Sequence, residues 1–156
     1  MTDFAALDET KLRDACEAVL GVLVDAARGA GWEPSAQAVT LVDATPECDG
    51  VYVWPATIGV EAAAKCVAVP QVGVRWLVAS CIGAGEVEDD AWWGDRVELL
   101  DRVWAVVGGL FAAYTDGTLC GALGLACDDV RLDRVDRFDS GDLFVWSGVV
   151  TVTLGV

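Results

Sequence analysis

Carboxylates, thiols and one arginine–aspartate tract are the residues best suited to chemistry in this chain. Paired aspartates stand at Asp89-Asp90 and Asp128-Asp129. Such pairs hold divalent cations when a loop gathers enough oxygen ligands around them. No EF-hand spacing surrounds either pair, so a solvated acidic face is the simpler reading. A metal-dependent enzyme using Asp128 and Asp129 is the sharper one. The six cysteines, Cys16, Cys48, Cys66, Cys81, Cys120 and Cys127, form no CxxC pair, and the chain has no histidine. A zinc site would lack its usual ligand set. A nucleophilic serine or cysteine would lack its usual base, and Ser35, Ser80, Ser140 and Ser147 sit in no nucleophile elbow. Gly83-Ala84-Gly85 lacks the third glycine of a dinucleotide fingerprint, and the acidic run after it would repel phosphate. These residues predict no catalytic site, no cofactor and no metal.

The tract Arg131-Leu132-Asp133-Arg134-Val135-Asp136-Arg137-Phe138-Asp139 is less ordinary, because it gathers three of the chain's eight arginines. As a surface network, each ion pair is worth at most about 1 kcal/mol. As a subunit interface, arginine–carboxylate forks fix orientation more than affinity. Arg131, Asp133, Arg134, Asp136 and Arg137 are therefore the candidate interface residues.

The elements that must position them are dominated by a helix from Asp89 to Tyr114. Trp93, Val97, Leu100, Trp104, Val107, Phe111 and Tyr114 recur at spacings of four and three, which places them on one helical stripe. A second row, Trp92, Leu99, Val103, Val106 and Leu110, widens it. Asp89 or Asp90 caps the start and Gly117 supplies the stop. Such a helix spans roughly 39 Å, and a broad apolar cover must lie against it. On this reading Trp104 is a core residue, and Trp104→Ala costs about 3–5 kcal/mol.

The remaining elements follow in order. Leu7 to Arg28 reads as a first helix ended by Gly29 and Gly31. Short strands are expected over 36–43 and at Val51-Tyr52-Val53-Trp54, the second stopped by Pro55. Thr57 to Val69 reads both ways: Glu61 to Lys65 is locally helical, Cys66 to Val69 extended, and Pro70 closes the segment. Gln71 to Ile82 is a firmer strand, with Val72, Val74, Trp76 and Val78 on one side and Arg75, Leu77, Ala79 and Cys81 on the other. Leu119 to Ala126 is a small apolar connection. Val130 to Val135 and Leu143 to Leu154 form a closing antiparallel hairpin, with Trp146, Gly148, Val150 and Val152 sharing a face. The order predicts one α+β domain over 1–156, two helices against a mostly antiparallel sheet.

Composition narrows the functional class. The 156 residues are 54% hydrophobic and carry a net charge of −15. Surplus apolar surface commonly ends in a subunit interface, and the acidity repels nucleic acid. Val103 to Cys127 is long enough to cross a bilayer, but Asp116 and the glycines around it break the run, so no membrane span is expected. Met1-Thr2-Asp3-Phe4 lacks the pattern of a signal peptide, and the thiols are expected to stay reduced.

The layout of the first helix, the strands around Val51-Tyr52-Val53-Trp54-Pro55 and Val72 to Ile82, the long helix and the hairpin through Phe138-Asp139-Ser140-Gly141 resembles the tail terminator proteins of long-tailed bacteriophages. The resemblance covers nearly the whole chain. It implies a ring-forming, hexameric subunit that stops growth of the tail tube. It also implies partners in the tail tube protein and the head–tail connector or stopper, a place in the virion tail or neck after assembly in the host cytoplasm, and neither enzyme activity nor cofactor. An acidic lumen would let DNA pass without holding it. Contacts to the connector side instead of the tube would favour another neck, head-completion or minor tail protein. A monomer mass would favour a binding module with an apolar pocket. Magnesium- or manganese-dependent activity lost with Asp128 or Asp129 would favour the enzyme. The thiol reading is checked by melting temperature, which reductant should leave unaltered; a large drop would reveal a structural disulfide.

Overall fold

The computed structural model describes the backbone over residues 3–4, 9–40, 49–64, 67–81, 89–123, 126–138 and 143–153, and side chains over 9–40, 49–59, 70–80, 101, 103–123, 129–132 and 145–153. The elements run β1 (Asp3–Phe4), α1 (Glu9–Gly29), β2 (Ala36–Val39), β3 (Gly50–Ala64), β4 (Val67–Cys81), α2 (Asp89–Thr115), α3 (Thr118–Leu123), β5 (Ala126–Phe138) and β6 (Leu143–Thr153). The fold is α+β. One sheet has the order β2-β3-β4-β6-β5, with β1 added in parallel to β4. All other pairs except β2–β3 are antiparallel.

The core follows from alternation along β4. Val72, Val74, Trp76 and Val78 are all fully buried on one face, as period-two patterning requires. They meet Val51 and Val53 of β3, Trp146, Val150 and Val152 of β6, and the helices α1 and α2. Gly148 lies opposite Trp76 in the β4–β6 register. A Cβ there would sit 2.5 Å from Trp76 Cζ2 and would also collide with the Arg131 carbonyl oxygen. A glycine at this point lets the indole lie flat on the neighbouring backbone.

The long helix exists where expected but is turned. Among its described residues the buried ones are Val103, Val106, Val107, Leu110 and Ala113, which rotates the buried arc roughly a quarter-turn from the stripe through Trp104 and Phe111. Trp104 is 55% exposed, with its ring 5.5 Å from that of Trp146. The cause is α1. A Cβ on Gly109 would lie 2.6 Å from the Ala26 Cβ, so α2 packs against α1 on that side as well as against the sheet. Serving two neighbours moves Trp104 to the rim. Trp92, Trp93, Val97, Leu99 and Leu100 lie on α2 with side chains outside the described residues.

Three further expectations change. Pro55 does not end β3, which continues to Ala64 paired with β4. A register shift between Pro55 and Thr57 absorbs the proline, as bulges commonly do. Glu61 to Ala64 is strand, not helix, and Pro70 lies inside β4 opposite Val60. Ladder pairing along the hairpin overrides the local helical preference of the alanines. The connection after α2 contains α3, where the Thr118 amide donates to Asp116 Oδ1 at 2.8 Å, and Leu119 and Leu123 are buried. Gly117 takes φ 84° as α2 stops. Among the described residues no helix is long and apolar enough to cross a membrane.

Core truncation should separate the two tryptophans. Trp76→Ala should lower stability by about 3–5 kcal/mol and Gly148→Ala by about 1–3 kcal/mol through overpacking. Trp104→Ala should cost about 1 kcal/mol or less, since much of its ring is already in water. Urea denaturation of the three variants checks this order, and equal losses at Trp76 and Trp104 would contradict the burial described.

Candidate subunit interface

The arginine–aspartate tract lies on β5, which is the outer strand of the sheet beside β6. Its register explains how a mixed apolar and charged sequence stays in a ladder. Val130 pairs with Val150 and Leu132 with Gly148; then a register shift between Leu132 and Arg134 lets Val135 pair with Trp146. The extra residue at the shift, Asp133, keeps Val130, Leu132 and Val135 in step with the apolar face of β6. The same shift sets Arg131 opposite Val149, Arg134 opposite Ser147 and Asp136 opposite Val145, all positions of the other face. Arg137 pairs with Phe144, one place out of that set. The five candidates thus share a strand but not one face. Side chains of Asp133, Arg134, Asp136 and Arg137 lie outside the described residues.

Arg131 is exposed, and its Nε lies 3.4 Å from Asp129 Oδ2 on the same strand. Both side chains are more than half exposed, so this pair contributes about 1 kcal/mol at most. Among the described residues, no group of three or more His, Cys, Asp or Glu side chains is arranged to hold a metal ion. The side chains of Asp89, Asp90 and Asp128 lie outside them. Asp116 instead serves its own backbone: the hydrogen bonds from Thr118 hold its carboxyl below the usual carboxylate range.

Two features have no counterpart in the sequence reading. The sheet's second face carries its own buried cluster of Tyr52, Trp54, Leu77, Ala79 and Val145, to which no helix contributes among the described residues. Ser80, which alternation sets on the opposite face, donates from Oγ to Asp49 Oδ1 at 2.9 Å. Alternation at Tyr52 and Trp54 was the available signal. The other feature is the outward side of α2. From Val103 to Thr115 there is no charged residue, and Trp104, Ala105, Ala112 and Thr115 are exposed with Gly108 half-buried. The outward side of α1, in contrast, carries Glu9, Lys11, Arg13, Asp14, Glu17, Asp25 and Arg28.

The chain matches no protein-family model and no curated relative. A solved structure described as "Virion of native gene transfer agent (GTA) particle" contains a chain similar to this one, 16% identical with a TM-score of 0.36, over 92% of this chain and 88% of that one. At that score the likeness carries no functional argument.

Of the thiols, Cys16 and Cys120 are free; the side chains of Cys48, Cys66, Cys81 and Cys127 lie outside the described residues. Burial, helped by the charge of Glu17, pushes the Cys16 thiol up from 9.0 to about 11. The folded state therefore holds this proton more tightly than the unfolded chain. Its contribution to stability is intact below about pH 9 and is lost as pH rises towards about 11. The slope over that window should reach at most about 1.4 kcal/mol per pH unit and should flatten in Cys16→Ala. Identical loss of stability in both proteins from about pH 8 to 10.5 would assign the alkaline instability to other groups.

Proposed function

We propose that this chain is a structural virion protein without enzymatic activity. It is a tail terminator whose copies close into a hexameric ring, cap the tail tube and join it to the head connector. The observation that carries the reading is the arrangement of elements: helix, three strands, long helix, closing hairpin, with both long helices on one sheet face and β5 left outermost. That is the layout on which the resemblance to tail terminators rests, and it leaves the arginine–aspartate strand at an edge where a neighbouring subunit can reach it.

Charge constrains how such a ring forms. Six copies at −15 each total about −90, too much like charge for electrostatics alone to assemble. Apolar burial supplies the association, and Arg131, Arg134 and Arg137 set the register against facing carboxylates while reducing repulsion. The remaining acidity lines the lumen, where it repels phosphate and leaves passing DNA without adhesion.

Assembly should strengthen as salt rises from low values, because screening weakens repulsion more than it harms packed contacts. Arg134→Glu should weaken the ring while the subunit stays folded, and particles built with it should show tails of uncontrolled length or unjoined heads and tails. Normal particles from the Arg134→Glu protein would remove this tract from the interface.

A further inference from the structure

The arginine–aspartate strand β5 forms one edge of the sheet, and a head-to-tail ring needs a second, different surface on each copy to meet it. We infer that this surface is the opposite edge, β2, so that β5 of one copy lies against β2 of the next. The inference rests on the ring reading above and names the partner surface within it.

The first support is position. Register draws a level line across the whole sheet: Ala38 pairs with Tyr52, Tyr52 with Leu77, Leu77 with Ser147, and Ser147 with Arg134. Val39 is linked in the same way through Val53, Trp76 and Gly148 to Leu132. β2 therefore stands at the height of the arginine–aspartate tract on the far edge. A head-to-tail contact between surfaces at one height closes without rise, as a ring requires, whereas an offset builds a helix. The level lines also keep the faces in step, with Val39 on the side of Leu132 and Ala38 on the side of Arg134.

The second support is charge. β5 is close to neutral, with three arginines against four aspartates, on a chain in which acids outnumber bases 25 to 10. From Gly29 to Ala64, the stretch that holds β2 and β3, there are five acids and no base. Two of those acids serve their own chain: Glu33 accepts from Arg28 at 2.8 Å, and Asp49 accepts from Ser80 at 2.9 Å. Asp43 and Glu47 fall in the connection between β2 and β3. Two β2 edges brought together would set acid against acid, whereas β5 brings arginines to them. Complementarity of this kind selects the partner and orients it.

The third support is exposure at the edge itself. Val39 is among the few large apolar side chains left exposed in the described residues, at 36%, and Gln37 beside it is exposed. Leu132, at the same height on β5, is only half-buried. Bringing the two edges together covers both. The bulge at Asp133 blunts β5 as a template for a continued ladder, so side chains carry the contact.

The test is the concentration at which the full-length protein half dissociates, followed by light scattering on dilution at fixed salt, with thermal melting as the check on folding. Gln37→Glu should tighten the assembly about two- to fivefold, the worth of one exposed ion pair, although it adds a negative charge to an acidic chain. Thr10→Glu, at an exposed position of α1, adds the same charge away from the contact and should not tighten it. Gln37→Arg should loosen the assembly by a similar factor, and combining it with Arg134→Glu should recover most of the loss that Arg134→Glu causes alone. Equal effects of Gln37→Glu and Thr10→Glu, or no recovery in the double variant, would overturn β2 as the partner surface. If Arg134→Glu still weakened assembly in that case, the β5 interface would stand without β2. A monomeric wild type would overturn both.

Discussion

Burial of the row Val72, Val74, Trp76 and Val78 under the two long helices is the interaction on which the rest of this structure depends. β4 is the strand that pairs with both β3 and β6, so its apolar face fixes what every other element must cover. Full burial of side chains of this size is worth about 1.5–3 kcal/mol each for the aliphatic ones, and more for the indole. Trp76 reaches full burial because Gly148 across the ladder has no side chain to hold it off. Once that face is sealed by α1 and α2, the hairpin of β5 and β6 must keep its apolar residues in step with it, and the shift at Asp133 does so.

Where one face of an element differs from the other, the sequence was enough to read it. The strand at β4, the faces of β6 and the extents of α1 and α2 all come from periodicity, because a strand that alternates has one solution. The orientation of α2 was not legible. From Val103 to Tyr114 the helix is apolar or small all round, so no polar residue marks the outward side, and Trp104 is as plausible inside as out. Only the position of α1, read from Gly109 against Ala26, decides it. Pro55 and Pro70 mislead for a related reason: a proline ends a strand in isolation, but a long hairpin absorbs it at a bulge or beyond the end of a neighbour.

The candidate interface was legible as composition and only partly as geometry. Arginines interleaved with aspartates on a strand could be seen directly, whereas the strand's place at the sheet edge comes from the topology. That Arg137 falls out of step with Arg131 and Arg134 could not, because one inserted residue reverses every later position in a ladder. The buried cluster around Tyr52 and Trp54 was also hidden, since a sheet covered by helices on one side is expected to be polar on the other.

Charge and apolar content pull this chain in opposite directions, and the surface resolves them by position. Charges lie on α1, on β5 and on α2 as far as Arg102, whereas α2 carries none from Val103 to Thr115. On the proposed reading, a chain built this way associates through apolar contact and uses charge to choose orientation. Native mass spectrometry of the purified wild-type protein tests this most directly. The account predicts a single discrete multiple of the 16.4 kDa chain. A 16.4 kDa monomer at every concentration and salt would contradict it.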